Sequence, residues 1–189
     1  MIIRLVARLK RPVLLCAWWS VGLLGAKGMT LAHASAPAAR PYAVVNKRTA
    51  MISVYDVKGR LVGSSPVLLG LTPGDRLPPG SRLKRPEALL PHERVTPAGQ
   101  FEAVPGRNDK GEQVIWIDYE SGLAIHRLRP APRHERRPQR LASPTPEDNR
   151  ISLGCVVVDP GFFESVVLPA LGTGPSWVYV LPEEPMPEP

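Results

Sequence analysis

Residues 42–181 show short apolar runs that alternate with polar positions and are cut by turn residues. Tyr42–Val57 reads as two strands, with Val44 and Val45 in the first, Met51–Val57 in the second and Asn46–Thr49 as the turn between them, a hairpin pattern. Lys58-Gly59-Arg60 turns the chain into a further strand region, Leu61–Leu71. Phe101–Pro105, Gln113–Tyr119, Gly122–His126 and Trp177–Leu181 are additional short strands, and Ile151–Val158 is an apolar, β-branched run expected to form one buried strand. Trp116 and Trp177 stand in such runs and are expected in the core. Asp159-Pro160 combines an N-cap residue with a first-turn proline, and Phe162, Phe163, Val166 and Val167 follow at helical spacing. Thr72–Gln100 holds six prolines and reads as loop, and Arg127–Asn149 is long and polar. The pattern predicts about eight strands and one clear helix: a mostly β domain, built as a sandwich or partly closed barrel.

Composition sharpens this picture. There are 23 prolines among 189 residues, which suits short strands and turns and argues against a helical fold. The formal charge of +7 is unevenly placed. Arg4, Arg8, Lys10, Arg11 and Lys27 are basic with no acid before residue 35; without them, 19 basic residues face 17 acidic ones. That near-neutral remainder excludes a general nucleic-acid binder. Residues 1–34 follow the plan of a secretory signal, with a basic start, an apolar run over Val13–Ala26 and a small-x-small site at Ala32-His33-Ala34. The apolar run is too short to span a bilayer, so no membrane span is expected after cleavage. The expected organisation is signal 1–34, linker 35–41, one domain 42–181 and a disordered Pro/Glu tail 182–189.

Cleavage leaves one cysteine, Cys155, which in an oxidising compartment is either a free reactive thiol or a buried small hydrophobe. Gly154 before it lets the backbone turn tightly and lets a substrate approach. A reactive thiol needs a base within hydrogen-bond reach. Of His92, His126 and His134, the one at a strand end is His126; the others stand in a Pro-rich stretch and an arginine-rich loop and are expected to face solvent. The three show no metal-ligand spacing, and no metal or other cofactor is expected. The arginines of 127–140 read as a solvated lid edge.

Three ordered pieces resemble the L,D-transpeptidase catalytic domain, the YkuD-type family, as a divergent member. They are Thr96-Pro97-Ala98-Gly99-Gln100-Phe101, Ala124-Ile125-His126 and Ser152-Leu153-Gly154-Cys155-Val156; Tyr55, Asp56 and Gly59 fit as well. The resemblance implies a mostly β fold in the periplasm or cell envelope and acyl transfer on peptidoglycan stem peptides. It implies Cys155 as nucleophile, His126 as base, the Arg127 carbonyl orienting the imidazole, amides near Gly154 and Cys155 as the oxyanion hole, and Ser152 supporting the loop or the substrate. The chain departs from the family pattern at Leu153, where a histidine is usual, at Arg127, and at Val156–Val158, which lack the usual polar residue. The order His before Cys speaks against papain-like and amidase folds, and the lack of Arg or Lys beyond Arg150 against sortases. An L,D-carboxypeptidase, or a peptide-binding module of the same fold with an inert Cys155, remains open on these residues.

Overall fold

The computed structural model of the protein describes residues 39–183. The expected signal, residues 35–38 of the expected linker and residues 184–189 lie outside the described residues.

The described chain is mostly β, with nine strands: β1 (Tyr42–Asn46), β2 (Met51–Tyr55), β3 (Leu61–Gly70), β4 (Gly99–Arg107), β5 (Gln113–Asp118), β6 (Leu123–Arg127), β7 (Arg150–Ser152), β8 (Val156–Val158) and β9 (Ser176–Leu181). Eight close in the order β2-β1-β9-β4-β5-β6-β8-β3, with β3 pairing back onto β2, and β7 adds to the end of β3. The two long strands serve both walls. β3 pairs with β2 over Leu61–Pro66 and with β8 at Val67 and Leu68. β4 pairs with β9 over Gly99–Ala103 and with β5 over Val104–Arg107. Pro66 and Pro105 lie at these changeovers, where a missing ladder N–H is least disruptive.

Alternation along the strands fills the interior. Ala43 and Val45, Ile52 and Val54, Ile115 and Ile117, Val156 and Val158, and Val178 and Val180 all join one core. Each such aliphatic side chain contributes roughly 1.5–3 kcal/mol on burial. Asp159 caps the helical segment as its sequence predicts, its Oδ1 accepting the Phe162 amide hydrogen at 3.1 Å. The segment runs α2 (Pro160–Phe162), a π-turn (Phe163–Val167) and α3 (Leu168–Leu171). Pro169 supplies no amide hydrogen to the turn before it, where the helix widens. Phe163, Val167 and Leu171 seal the core from that side.

Several expectations need correction. The run Ile151–Val158 is two strands rather than one, parted at Leu153–Cys155 by the left-hand-side backbone of Gly154 (φ 131°). Trp116 and Trp177 are only half-buried. Trp116 lies over Gly106, where a Cβ would sit 2.6 Å from its ring, and Trp177 lies under the Arg40 guanidinium. The polar stretch after β6 contains a short helix, α1 (Arg137–Leu141), whose Leu141 is buried. Glu183 is not part of a free tail. Its carboxylate accepts hydrogen bonds from Arg150 at 2.9 Å and from the Gly74 amide at 3.2 Å, and its own amide donates to Asp75 at 2.9 Å.

Candidate active site

The candidate base, His126, is positioned by backbone. β6 lies between β5 and β8, and Ile125 points into the barrel core. The next residue, His126, therefore faces the other side, level with Val157 across the parallel β6–β8 pair. The residue is 9% exposed. Its Nδ1 lies 2.8 Å from the carbonyl oxygen of Arg127. A carbonyl only accepts, so Nδ1 carries the hydrogen and Nε2 is left as the proton acceptor. Burial lowers the imidazole pKa to about 4, against the opposing effect of the Arg127 carbonyl. The ring is therefore neutral at pH 7 and able to take a proton.

The candidate nucleophile, Cys155, is positioned by side chains. Ser152, 3% exposed, donates through Oγ to the carbonyl of Cys155 at 2.7 Å and accepts the Gly154 amide hydrogen at 3.1 Å. Thr96 Oγ1 donates to the Gly154 carbonyl at 2.8 Å and accepts the Gly70 amide hydrogen at 2.8 Å. Both glycines are required. A Cβ at Gly154 would lie 2.9 Å from the Val95 carbonyl oxygen, and one at Gly70 would lie 2.5 Å from that of Arg94. These bonds bear on two roles implied by the resemblance, and for Ser152 they favour the first of its two alternatives. The Gly154 amide is engaged by Ser152 rather than presented to an oxyanion, and buried Ser152 supports the loop rather than meeting substrate.

The Cys155 thiol donates to the Gly122 carbonyl at 3.4 Å. Burial pushes it above the ordinary thiol range, while the Ala124 backbone and Arg129 pull the other way. No hydrogen bond joins Sγ to His126 among the described residues. The two nevertheless share a face. Val156 pairs with Ile125, so one residue earlier Cys155 comes level with Ala124. His126 is two positions farther on the same side, about 7 Å along the strand. At rest the thiol is protonated and bonded to the Gly122 carbonyl, and the imidazole is neutral.

A cover lies against the thiol, with Cys155 itself half-buried. A cavity of about 30 Å³, room for a water molecule, is lined by Leu77, Pro86, Leu89, Val95, Gly122 and Cys155. The first four come from the Pro-rich segment between β3 and β4. That segment is tied internally by Lys84 to Glu93 at 2.5 Å and to β5 by Arg82 and Asp118. Its ends are fixed by Lys47, which is fully buried and donates to the Gly74 carbonyl and Asp75 Oδ1, both at 2.5 Å, and to the Thr96 carbonyl at 3.0 Å. The cover is therefore this proline-rich segment. Among the arginines of 127–140, Arg127 pairs with Glu164 at 2.6 Å, Arg129 with Glu112 at 2.8 Å and Arg137 with Glu135, and Arg129 still acts on the thiol from its pair. His92 and His134 are exposed.

Sequence reasoning passed over Lys47 and the covering role of Leu77, Leu89 and Val95. Four large apolar residues in a proline-rich stretch, Leu77, Leu83, Leu89 and Leu90, were the available signal for the cover, although Leu83 and Leu90 prove exposed. Among the described residues no group of His, Cys, Asp and Glu could hold a metal ion, and no helix is long and apolar enough to cross a membrane.

No family model matches the chain, and no curated protein matches it in sequence. Solved structures do. The chain is similar to the helical cell shape determining protein Pgp2 from Campylobacter jejuni (16% identity, TM-score 0.49, 77% of this chain and 49% of that one). It is similar to an L,D-transpeptidase from Mycobacterium smegmatis (14%, TM-score 0.42, 75% and 58%). It is also similar to the catalytic domain of an E. faecium L,D-transpeptidase (18%, TM-score 0.40, 77% and 100%). The chain spans about half the length of the Campylobacter protein it matches.

Proposed function

We propose that the protein is a cysteine acyltransferase acting on peptidoglycan stem peptides in the cell envelope, an L,D-transpeptidase in its chemistry. The observation that carries this reading is the His126 ring. Its Nδ1 is fixed on the Arg127 carbonyl, so its Nε2 is a neutral acceptor on the face that also bears Cys155. The ordered motifs around Thr96, His126 and Ser152–Cys155 add support, since Thr96 and Ser152 both hold the nucleophile loop.

In this mechanism Nε2 takes the thiol proton as Sγ attacks the carbonyl carbon of the stem peptide's third residue. The amide of Cys155 is the oxyanion donor, given that the Gly154 amide is engaged. The C–N bond to the terminal D-Ala breaks, and the leaving amine takes the proton from His126. The thioester is then attacked by an acceptor amine, whose proton passes to Nε2. The C–S bond breaks, and the thiolate recovers that proton. With water as acceptor the same steps give a carboxypeptidase. A stem-peptide-binding module with an inert thiol is the second reading, favoured by the raised thiol and its bond to Gly122.

Mass spectrometry of the mature protein with a disaccharide-tetrapeptide and an amine tests both. D-Ala release by the parent and none by Cys155→Ala is expected, and the product mass separates transfer from hydrolysis. No release by either variant refutes the enzyme and leaves the binding module.

A further inference from the structure

Lys47 is a charged side chain with no exposed surface, placed in a turn whose sequence, Asn46-Lys47-Arg48-Thr49, gives it every chance to reach water. Burying an ammonium is costly unless each of its hydrogens is matched. Here all three are matched. The acceptors are the Gly74 carbonyl, Asp75 Oδ1 and the Thr96 carbonyl, with Glu183 Oε1 nearby at 3.5 Å. These partners are not one local motif. Gly74 and Asp75 lie near the start of the segment that covers Cys155, and Thr96 lies at its end. Thr96 is also the residue whose hydroxyl holds the Gly154 carbonyl, next to the nucleophile.

We propose that Lys47 is a positioning residue for Cys155: its buried ammonium latches both ends of the covering segment and, through Thr96, sets the peptide that precedes the thiol. This deepens the acyltransferase reading and rests on Cys155 being its nucleophile, but the latch itself is readable from the thiol without any substrate. An apolar side chain would fill the space left by Lys47 and keep the turn. It would not hold Gly74, Asp75 and Thr96 to one point. With the latch gone, the cover parts from the cavity and the half-buried, Gly122-bonded thiol becomes more exposed.

The experiment measures iodoacetamide alkylation of Cys155 in the mature protein, over a pH series spanning the thiol titration. Parent, Lys47→Met, Thr96→Val and the double variant are compared with Val54→Ala, a cavity variant in the β2 wall that lowers stability without touching the latch. Lys47→Met is expected to react roughly ten-fold faster below its melting temperature, with its pH profile moved toward that of free cysteine. Val54→Ala is expected to keep the parent's rate and profile. The double variant is expected to react no faster than Lys47→Met, because the two changes break one chain of contacts. A parental rate in Lys47→Met, an equal rise in Val54→Ala, or independent effects in the double variant would overturn the proposal. If Lys47→Met does not fold, Asp75→Asn serves, with a smaller rise in the same direction expected and an unchanged rate counting against the latch. These readouts stand whether or not the parent releases D-Ala, so a failure of the acyltransferase reading and a failure of the latch are seen separately.

Discussion

The two halves of the candidate site are held in different ways. His126 stands on β6, between two paired strands, and its ring is oriented by the main-chain carbonyl of its own neighbour. Cys155 stands at a break between two three-residue strands, and the peptides around it are held by Ser152 and Thr96, with Lys47 behind them. A carbonyl is supplied by any residue, so the base geometry is insensitive to the side chain at 127. The nucleophile geometry depends on particular hydroxyls. This explains how the chain can carry Arg127 in a position where the resembled family differs and still present Nε2, whereas Ser152 and Gly154 leave no such freedom.

The largest test of this contrast is at the base itself. His126→Gln is expected to lower D-Ala release by roughly 10²–10⁴-fold, the usual contribution of a general base. It also removes a pH dependence. Burial holds the folded imidazole near pKa about 4 against the ordinary 6.5, so the unfolded chain binds a proton first as pH falls. Stability linked to His126 is complete above the unfolded value and is lost between about pH 6.5 and about pH 4, on the order of 3 kcal/mol at most. Denaturant titrations should show that acid limb in the parent and its loss in His126→Gln; an unchanged limb would place the effect on other groups.

Ser152→Ala comes next. It leaves the buried Gly154 amide and one acceptor of the loop without their partner, at about 1–3 kcal/mol. D-Ala release should fall about ten-fold more than global instability explains, since the nucleophile's own peptide loses its tether. Equal activity at matched folded fraction would show that the loop keeps its shape without the hydroxyl. The smallest effect belongs to Arg127→Ala. The Arg127 carbonyl remains, so activity is expected to stay within about three-fold of the parent, and only the pairing with Glu164 and the contact over Phe163 are lost. A large fall in kcat would mean that the guanidinium, not the carbonyl, serves the site.

Much of the barrel was legible because its strands are half-buried and alternate. β1, β2 and β9 show the inward series Ala43, Val45, Ile52, Val54, Val178 and Val180 directly. The Asp159-Pro160 cap was equally plain. The break in Ile151–Val158 was not, because a continuous apolar run has the same appearance whether one strand or two carries it, and Gly154 alone marks the interruption. The candidate site could be read as far as its residues stand in short motifs, at Thr96, His126 and Ser152–Cys155. Lys47 was hidden for the opposite reason. A lysine beside an arginine in a polar turn reads as solvated, and nothing local announces that Gly74, Asp75 and Thr96, distant in sequence, converge on it. The cover was hidden likewise, since prolines tell that a segment is irregular but not what it lies against. The same limit misplaced Trp116 and Trp177, whose runs show strand but not which side of the strand meets water.

The parallel pairing of β1 with β9 has a consequence for how the fold is reached. Tyr42 to Asn46 lie directly beside Trp177 to Leu181, and β9 also pairs with β4. Among the described strands the closing one comes last in sequence and fills a gap between two earlier ones. A growing chain can make the β1–β2–β3 meander locally, but ring closure waits for β9, far along the chain from β1, the kind of long-range assembly that slows folding. Until then β1 and β4 each present an unpaired edge, a template for association with other chains. Shortening the chain ahead of Ser176 would make those edges permanent and turn a closed fold into a self-associating one.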